Sequence, residues 1–171
     1  MRLYLLRHAI AAPHDPALWS DDRERPLTTD GMRRMKRGAR GMRRLGMRFD
    51  LILSSPLTRA VETARIVLAA GGGAPDLKLL KPLAPGGGTG GVFAALTGLP
   101  PQARVLLVGH EPDLGLLAAG LLLDRRDEMP LEFKKGGLCR IDTEGAPRLG
   151  NGRLVFHLTP RMLRRLGGPA R

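Results

Sequence analysis

The sequence predicts a three-layer α/β/α sandwich around a largely parallel central sheet. Three observations carry that prediction: apolar runs and amphipathic stretches take turns along the chain with turn-forming breaks between them, no internal repeat is visible, and no linker separates one part from another. The 171 residues, 43% of them hydrophobic, are enough to bury one sizeable core, so a single domain over 1–171 is expected.

Each element follows from a local pattern. Residues 2–7 read as a short buried strand. Residues 11–25 carry Pro13, Pro16 and several acids without periodicity and read as a long loop, a kind of segment that is often functional in compact domains. Thr28-Thr29-Asp30-Gly31 supplies a helix start, after which Met32, Met35, Ala39, Met42 and Leu45 recur at helical spacing with arginines between them. That methionine stripe reads as core packing. A second short strand is expected at 50–54. Ser55-Pro56 then looks like a helix entry, with serine able to cap and proline at the first helical position of a helix reaching about Ala70. Residues 77–80 form a candidate third strand, and 85–91 a glycine-rich loop without the lysine and Ser/Thr of a P-loop, before a short helix over 92–97. Residues 104–108 give the strongest strand signal, followed by a Gly-His turn and an apolar helix over 112–123. A charged loop at 124–128, extended segments at 137–141 and 153–158, and a basic helix from Pro160 complete the series.

Composition narrows the function classes. The formal net charge is +12 and the pI about 11.4, a balance that attracts acidic proteins, phosphorylated partners or nucleic acid. Aromatic residues are only 4%, so the stacking platforms of single-strand binders are mostly missing and nucleic acid is not the expected partner. No apolar run reaches about 18 residues, and Arg2 leads into a strand-like segment rather than a signal-peptide apolar region, so a cytoplasmic protein without membrane association is expected. The single cysteine, Cys139, has no partner for a disulfide or a zinc site and reads as a small buried apolar residue. His14 and His157 have no partner at metal-ligand spacing, and neither metal nor other cofactor is expected.

In open α/β sheets, pockets form outside the carboxyl ends of the strands. Arg7-His8, the stretch from Ser54 to Arg59, and Gly109-His110 all lie at such predicted ends. If those ends meet, Arg7, His8, Arg59 and His110 build one anion pocket with a nucleophile inside it. Arg7 and His8 are neighbours, so a continued strand would point them to opposite faces, and the chain has to turn at about His8.

These residues carry a family resemblance. Leu6-Arg7-His8-Ala9 resembles the Arg-His-Gly signature of the histidine phosphatase superfamily, which includes the phosphoglycerate mutase-like enzymes. Ser54-Ser55-Pro56-Leu57-Thr58-Arg59-Ala60 with Glu62-Thr63-Ala64 looks like its second motif, and Val108-Gly109-His110-Glu111-Pro112 is similar to its third. Arg25-Pro26-Leu27-Thr28 with Gly31, the His-Glu-Pro turn, the small size and Phe133-Lys134-Lys135-Gly136-Gly137 look most like the phosphohistidine phosphatase SixA branch. The resemblance spans about residues 1–142. Ala9 stands where the motif usually has glycine, which takes up positive φ more readily than alanine.

The resemblance implies a phosphoglycerate mutase-like fold and a metal-independent phosphatase. His8 would be the nucleophile that forms a phosphohistidine hydrolysed by water, and Arg7 and Arg59 would fork onto the non-bridging oxygens. His110 would donate to the same oxygens, most usefully when protonated. Arg25, folded over the pocket by its loop, and Glu111, through its backbone N–H, would add substrate contacts.

Related mutases and acid phosphatases carry a carboxylic acid after the third strand or beside the second histidine. Here the first region reads Pro82-Leu83-Ala84-Pro85-Gly86-Gly87-Gly88, and Glu111 sits in a SixA-like turn. Asp21, Asp22 and Glu24 can reach in from the first loop, which sequence leaves open. Glu62 is the better candidate for holding Arg59 or a neighbouring arginine. A missing acid costs roughly 100- to 10,000-fold on a poor leaving group, whereas a leaving imidazole needs no dedicated donor. The expected reaction is therefore removal of phosphate from a histidine on a partner protein domain, with phosphate as product. The alternatives are a phosphomonoesterase acting on a small metabolite, and a catalytically weak phosphate- or nucleic-acid-binding regulatory protein.

Overall fold

Leu3, Tyr4, Leu5 and Leu6 are consecutive and all buried, as are Val105 to Val108. A strand buried on both faces needs cover on both sides, which is the signature of a parallel sheet between two helical layers. In a computed structural model that describes residues 1–71, 73–123 and 131–169, this is the arrangement found. The chain runs β1 (Arg2–Arg7), α1 (Thr29–Arg44), β2 (Leu51–Ser54), α2 (Thr58–Ala70), β3 (Asp76–Leu79), α3 (Thr89–Thr97), β4 (Arg104–Gly109), α4 (Asp113–Leu122), β5 (Leu138–Thr143), β6 (Gly152–Leu158) and α5 (Pro160–Leu166). The sheet order is β3-β2-β4-β1-β5-β6, parallel from β3 to β1 and antiparallel at β5 and β6. The expected loop at 124–128 lies outside the described residues.

Side-chain alternation divides the core. Leu3, Leu5, Val105 and Leu107 face Val92 and Leu96 of α3 and Leu114, Leu117 and Leu121 of α4. Tyr4, Leu6, Leu106 and Val108 face Met35, Ala39 and Met42 of α1, Ala60, Ala64 and Val67 of α2, and Leu163 of α5. Cys139 is fully buried in the first of these clusters, as its apolar reading implied. Of the expected α1 stripe, Met35, Ala39 and Met42 are buried, but Leu45 closes the helix as its C-cap and is 46% exposed, while Met47 takes the place below it.

Two other boundaries differ from the sequence expectation. The second helix begins at Thr58, not Pro56, and has no side-chain cap. The Ser55 hydroxyl is spent elsewhere, accepting from Leu57 N–H at 3.3 Å and pairing with a histidine 55 positions on. The third helix starts three residues early, at Thr89.

Much of the basic surface of α1 serves α5. Arg37 donates to Gly168 O, Arg40 to Gly167 O and Arg44 to Leu166 O, so three guanidinium groups meet the carbonyls that end α5. The two helices touch through backbone. A Cβ on Gly41 would lie 2.1 Å from Leu163 O, and one on Gly167 would lie 2.0 Å from Arg37 O. Gly41→Ala therefore forces the helices apart. It is expected to cost about 1–3 kcal/mol in urea unfolding, whereas Gly73→Ala, with nothing within 4 Å of the new methyl, should leave the midpoint nearly unchanged.

Candidate active site

Strand register brings the three motifs level. Arg7 pairs with Gly109 and Ser54 with Val108, and the ladder continues past the strand ends as His8 N–H donates to Gly109 O at 3.0 Å and Ser55 N–H to Val108 O at 2.9 Å. His8 and His110 consequently face each other at the carboxyl edge, their ring centroids 5.0 Å apart. The expected turn is present: Gly136 N–H donates to both Arg7 O and His8 O at 3.1 Å, and Ala9 N–H donates to Thr63 Oγ1 on α2 at 3.0 Å. Among the described residues no non-glycine residue has positive φ, so Ala9 bears no strain where the motif has glycine, and its methyl packs in the core beside Leu6.

The arginines converge from both sides. Arg7 Nη1 donates to Phe133 O at 2.6 Å, and Phe133 N–H donates in turn to Glu111 Oε1 at 2.9 Å. Arg59, in the first turn of α2 and only 4% exposed, donates through Nη1 to Asp22 O at 2.7 Å and through Nη2 to Asp22 Oδ2 at 2.9 Å. The other Asp22 oxygen accepts from Arg25 Nε at 2.7 Å, while Arg25 Nη1 donates to Ala12 O at 2.7 Å. The first loop is thus tied across the pocket by Asp22. After this pairing the Nε atoms of both Arg7 and Arg59 remain buried without an acceptor. Two orphaned cationic donors in one pocket fit an oxyanion, the ligand that satisfies them with charge-assisted hydrogen bonds.

The same surroundings keep the imidazoles neutral. Burial, His110 and the charges of Arg59 and Arg7 push His8 down to about 3. Burial with Arg59 and Arg7 pushes His110 down to about 4. His8 Nδ1 lies 2.7 Å from Ala9 O, and a carbonyl can only accept. The ring of a neutral His8 therefore carries its proton on Nδ1 and leaves the Nε2 lone pair free. His110 Nε2 is held 2.8 Å from Ser55 Oγ.

Asp22, Glu111, Glu62 and Asp113, carboxylates near the pocket, are each engaged. Burial alone would raise the Asp22 carboxyl, but hydrogen bonds and charge from Arg25 and Arg59 outweigh it and hold the group below the usual carboxylate range. Burial raises Glu111, whose side chain faces the backbone amides of Phe133 and Gly115; what it leaves for a ligand is its own N–H. Among the described residues Glu62 holds no arginine, the role its spacing suggested, but accepts from Leu27 N–H at 2.7 Å, fastening the first loop to α2. Asp113 Oδ2 accepts from Gly86 N–H at 3.1 Å and lines a crevice with His110. His157 packs against Phe133 with centroids 4.9 Å apart, on the far side of the Arg7 acceptor.

Both histidines titrate near 6.5 when unfolded and far lower when folded, so between pH 6.5 and about 3 the unfolded chain binds more protons than the native one. Stability is full above pH 6.5 and falls as the pH drops through this window. A urea midpoint that declines from pH 7 to 4.5, and declines less in His8→Asn, is the expected result. In NMR, the His8 ring should remain neutral at pH 5, and titration near 6.5 would contradict the burial argument.

Comparison with known proteins agrees with this geometry. Residues 3–82 match the family model of the histidine phosphatase superfamily (branch 1). An uncharacterized protein of Picosynechococcus sp. is 41% identical over 151 residues, 87% of this chain and 88% of that protein. The phosphohistidine phosphatase SixA of Escherichia coli is 29% identical over 162 residues, 94% of each chain. A solved structure of the protein histidine phosphatase SixA complexed with tungstate superposes with a TM-score of 0.81 at 28% identity, covering 94% of this chain and 98% of that one. With its sheet order, its two facing histidines and its paired arginines, the chain belongs to the histidine phosphatase superfamily, in the SixA-like branch.

Proposed function

We propose that this phosphatase removes the phosphoryl group from a histidine on a partner protein through a phospho-His8 intermediate, as a single histidine phosphatase domain over 1–171. The observation that carries the reading is the pairing of a neutral His8, with its lone pair on Nε2, and two guanidinium groups whose Nε donors await an oxyanion. Tungstate bound to the SixA relative is an oxyanion of this kind.

In the first step Nε2 attacks phosphorus and the substrate P–N bond breaks. His8 becomes a phosphoimidazolium whose Nδ1–H is already bonded to Ala9 O. Arg7 and Arg59 hold the equatorial oxygens and offset charge in the transition state. Arg25 adds positive charge behind Asp22, and the Glu111 N–H lies beside His110. The incoming dianion favours protonation of His110, which then donates to it. Water attacks the phospho-His8 in the second step, releasing phosphate and restoring the neutral ring. Guanidinium groups supply the charge that a metal would otherwise bring, so activity should survive a chelator.

The leaving group follows from the carboxylates. Asp22 is ionised between two arginines and Glu111 faces backbone amides, so neither is arranged to protonate an ester oxygen. A phosphohistidine protonated at its second ring nitrogen leaves as neutral imidazole and asks for no donor. One observation favours a second reading, a phosphomonoesterase: Asp113 shares a crevice with His110 and could supply an acid.

Turnover of a histidine-phosphorylated protein domain and of small phosphate esters separates the two. The proposal expects rapid loss of the N–P phosphoryl, esters slower by at least about 100-fold, loss of turnover in His8→Ala, and a fall of about 100- to 1000-fold in Arg59→Ala. Esters hydrolysed as fast as phosphohistidine, with that activity lost in Asp113→Asn, would overturn it in favour of the second reading.

A further inference from the structure

The positive charge of the pocket continues past His8 along the surface. A narrow crevice runs from Ala9 and Ile10, between the turn at Lys135–Gly136 and the first half of α1, to the start of α5. The three charged side chains that line it, Arg34, Lys135 and Arg164, are all cations, and its floor is small and apolar at Met35 and Gly38. Lys135 joins this crevice to the pocket: it lines the crevice, and after burial the charges of Arg7, Arg25 and Arg59 push its ammonium group down. Arg164 joins it to α1, crowded by Arg34 and Arg37 after burial. Among the described residues neither Lys135 nor Arg164 has a carboxylate partner, and the one carboxylate facing them, Asp30, is shared between Arg33 and Arg34.

This strip differs from the rest of the basic helix. Arg37, Arg40 and Arg44 are committed to the carbonyls at the end of α5 and stay there whatever binds. Arg34 meets only the exposed Asp30, which it shares with Arg33, and among the described residues Lys135 and Arg164 meet no acceptor. Holding like charges together costs free energy that a fixed anion would offset. The strip begins at Ala9, the residue after the reacting histidine, so an anion on it belongs to the same molecule that presents the phosphoryl group. The scarcity of aromatic side chains, 4% of the chain, argues against a nucleic acid as that molecule.

We infer that Lys135, Arg34 and Arg164 form a docking strip for acidic side chains flanking the phosphohistidine of the partner protein, and so select substrate domains with an acidic face beside the reacting residue. The inference rests on the phosphohistidine reading above.

The test compares two substrates, an acidic phosphotransfer domain phosphorylated on its histidine and free phosphohistidine, with the parent, Arg164→Glu and the milder pair Arg34→Gln with Arg164→Gln. For the protein substrate KM should rise about tenfold or more in Arg164→Glu with kcat little changed, and the salt dependence of kcat/KM should flatten. Free phosphohistidine should be hydrolysed within about twofold of the parent rate by every variant, which also reports that they fold. Unchanged KM for the protein substrate in both variants would overturn the inference while leaving the reaction intact. Loss of DNA affinity in the variants without any change in KM would assign the strip to nucleic acid and equally overturn it. A parent that cleaves small esters but not the phosphorylated domain would remove the phosphohistidine reading, and the docking strip with it.

Discussion

A guanidinium buried to 4% exposure at the carboxyl edge of the sheet cannot shed its proton, so Arg59 has to be met by other groups. Asp22 meets two of its nitrogens and leaves Nε for something else. Much of the site follows from that requirement. The long first loop must cross the pocket to deliver Asp22, and it is fastened by Arg25 to Ala12 O and by Glu62 to Leu27 N–H. Arg7 is treated in the same way from the other side of the sheet, where Glu111 holds Phe133 and Phe133 O holds Arg7. Arg59 is anchored through both outer nitrogens and Arg7 through Nη1, and in each the Nε is left buried without a partner. The protein thereby preorganises donors for an oxyanion before it arrives, which is where electrostatic catalysis gains most.

The sheet supplies the remaining precision. Because β4 lies between β1 and β2, the residues that follow those three strands are neighbours in space although they are about 50 to 100 positions apart in sequence. Burial then sets their chemistry. The dry, cationic surroundings that would make a lone oxyanion stable also make a protonated imidazole unstable, so the same pocket keeps His8 neutral, as the proposed attack requires. In the proposed reaction substrate binding reverses part of this, since a phosphoryl dianion favours the charged form of His110. The two proposed roles, neutral on attack and charged in support, fall to identical side chains whose hydrogen-bond partners differ, Ala9 O for one and Ser55 Oγ for the other.

The layers, the sheet and the convergence of Arg7, His8, Arg59 and His110 were legible because they depend on local pattern: continuous apolar runs for strands buried on both faces, helical spacing for α1, and polar residues at strand ends. What the sequence left open depends on competition for single oxygen atoms. Ser55 looks like a helix cap until His110 is placed beside it. Glu62 looks like an arginine partner until the first loop brings a backbone N–H within reach. Asp22, one of three loop acids that looked alike, is singled out by the two guanidinium groups it lies between, and its contact with Arg59 spans 37 positions of chain. Leu45 continues the apolar spacing of α1, yet the helix ends there and the spacing no longer determines burial.

In the proposed reaction His8 Nε2 takes the phosphoryl group from nitrogen and holds it between two arginines. Rapid acid-free quenching during turnover of a phosphohistidine protein labelled on phosphorus, followed by mass-spectrometric mapping of the labelled peptide, tests it most directly. Label is expected on the peptide containing His8, attached at Nε2 and lost with the kinetics of the second step. Label at Nδ1, label on any other residue, or turnover with no phosphoenzyme at any time would contradict it.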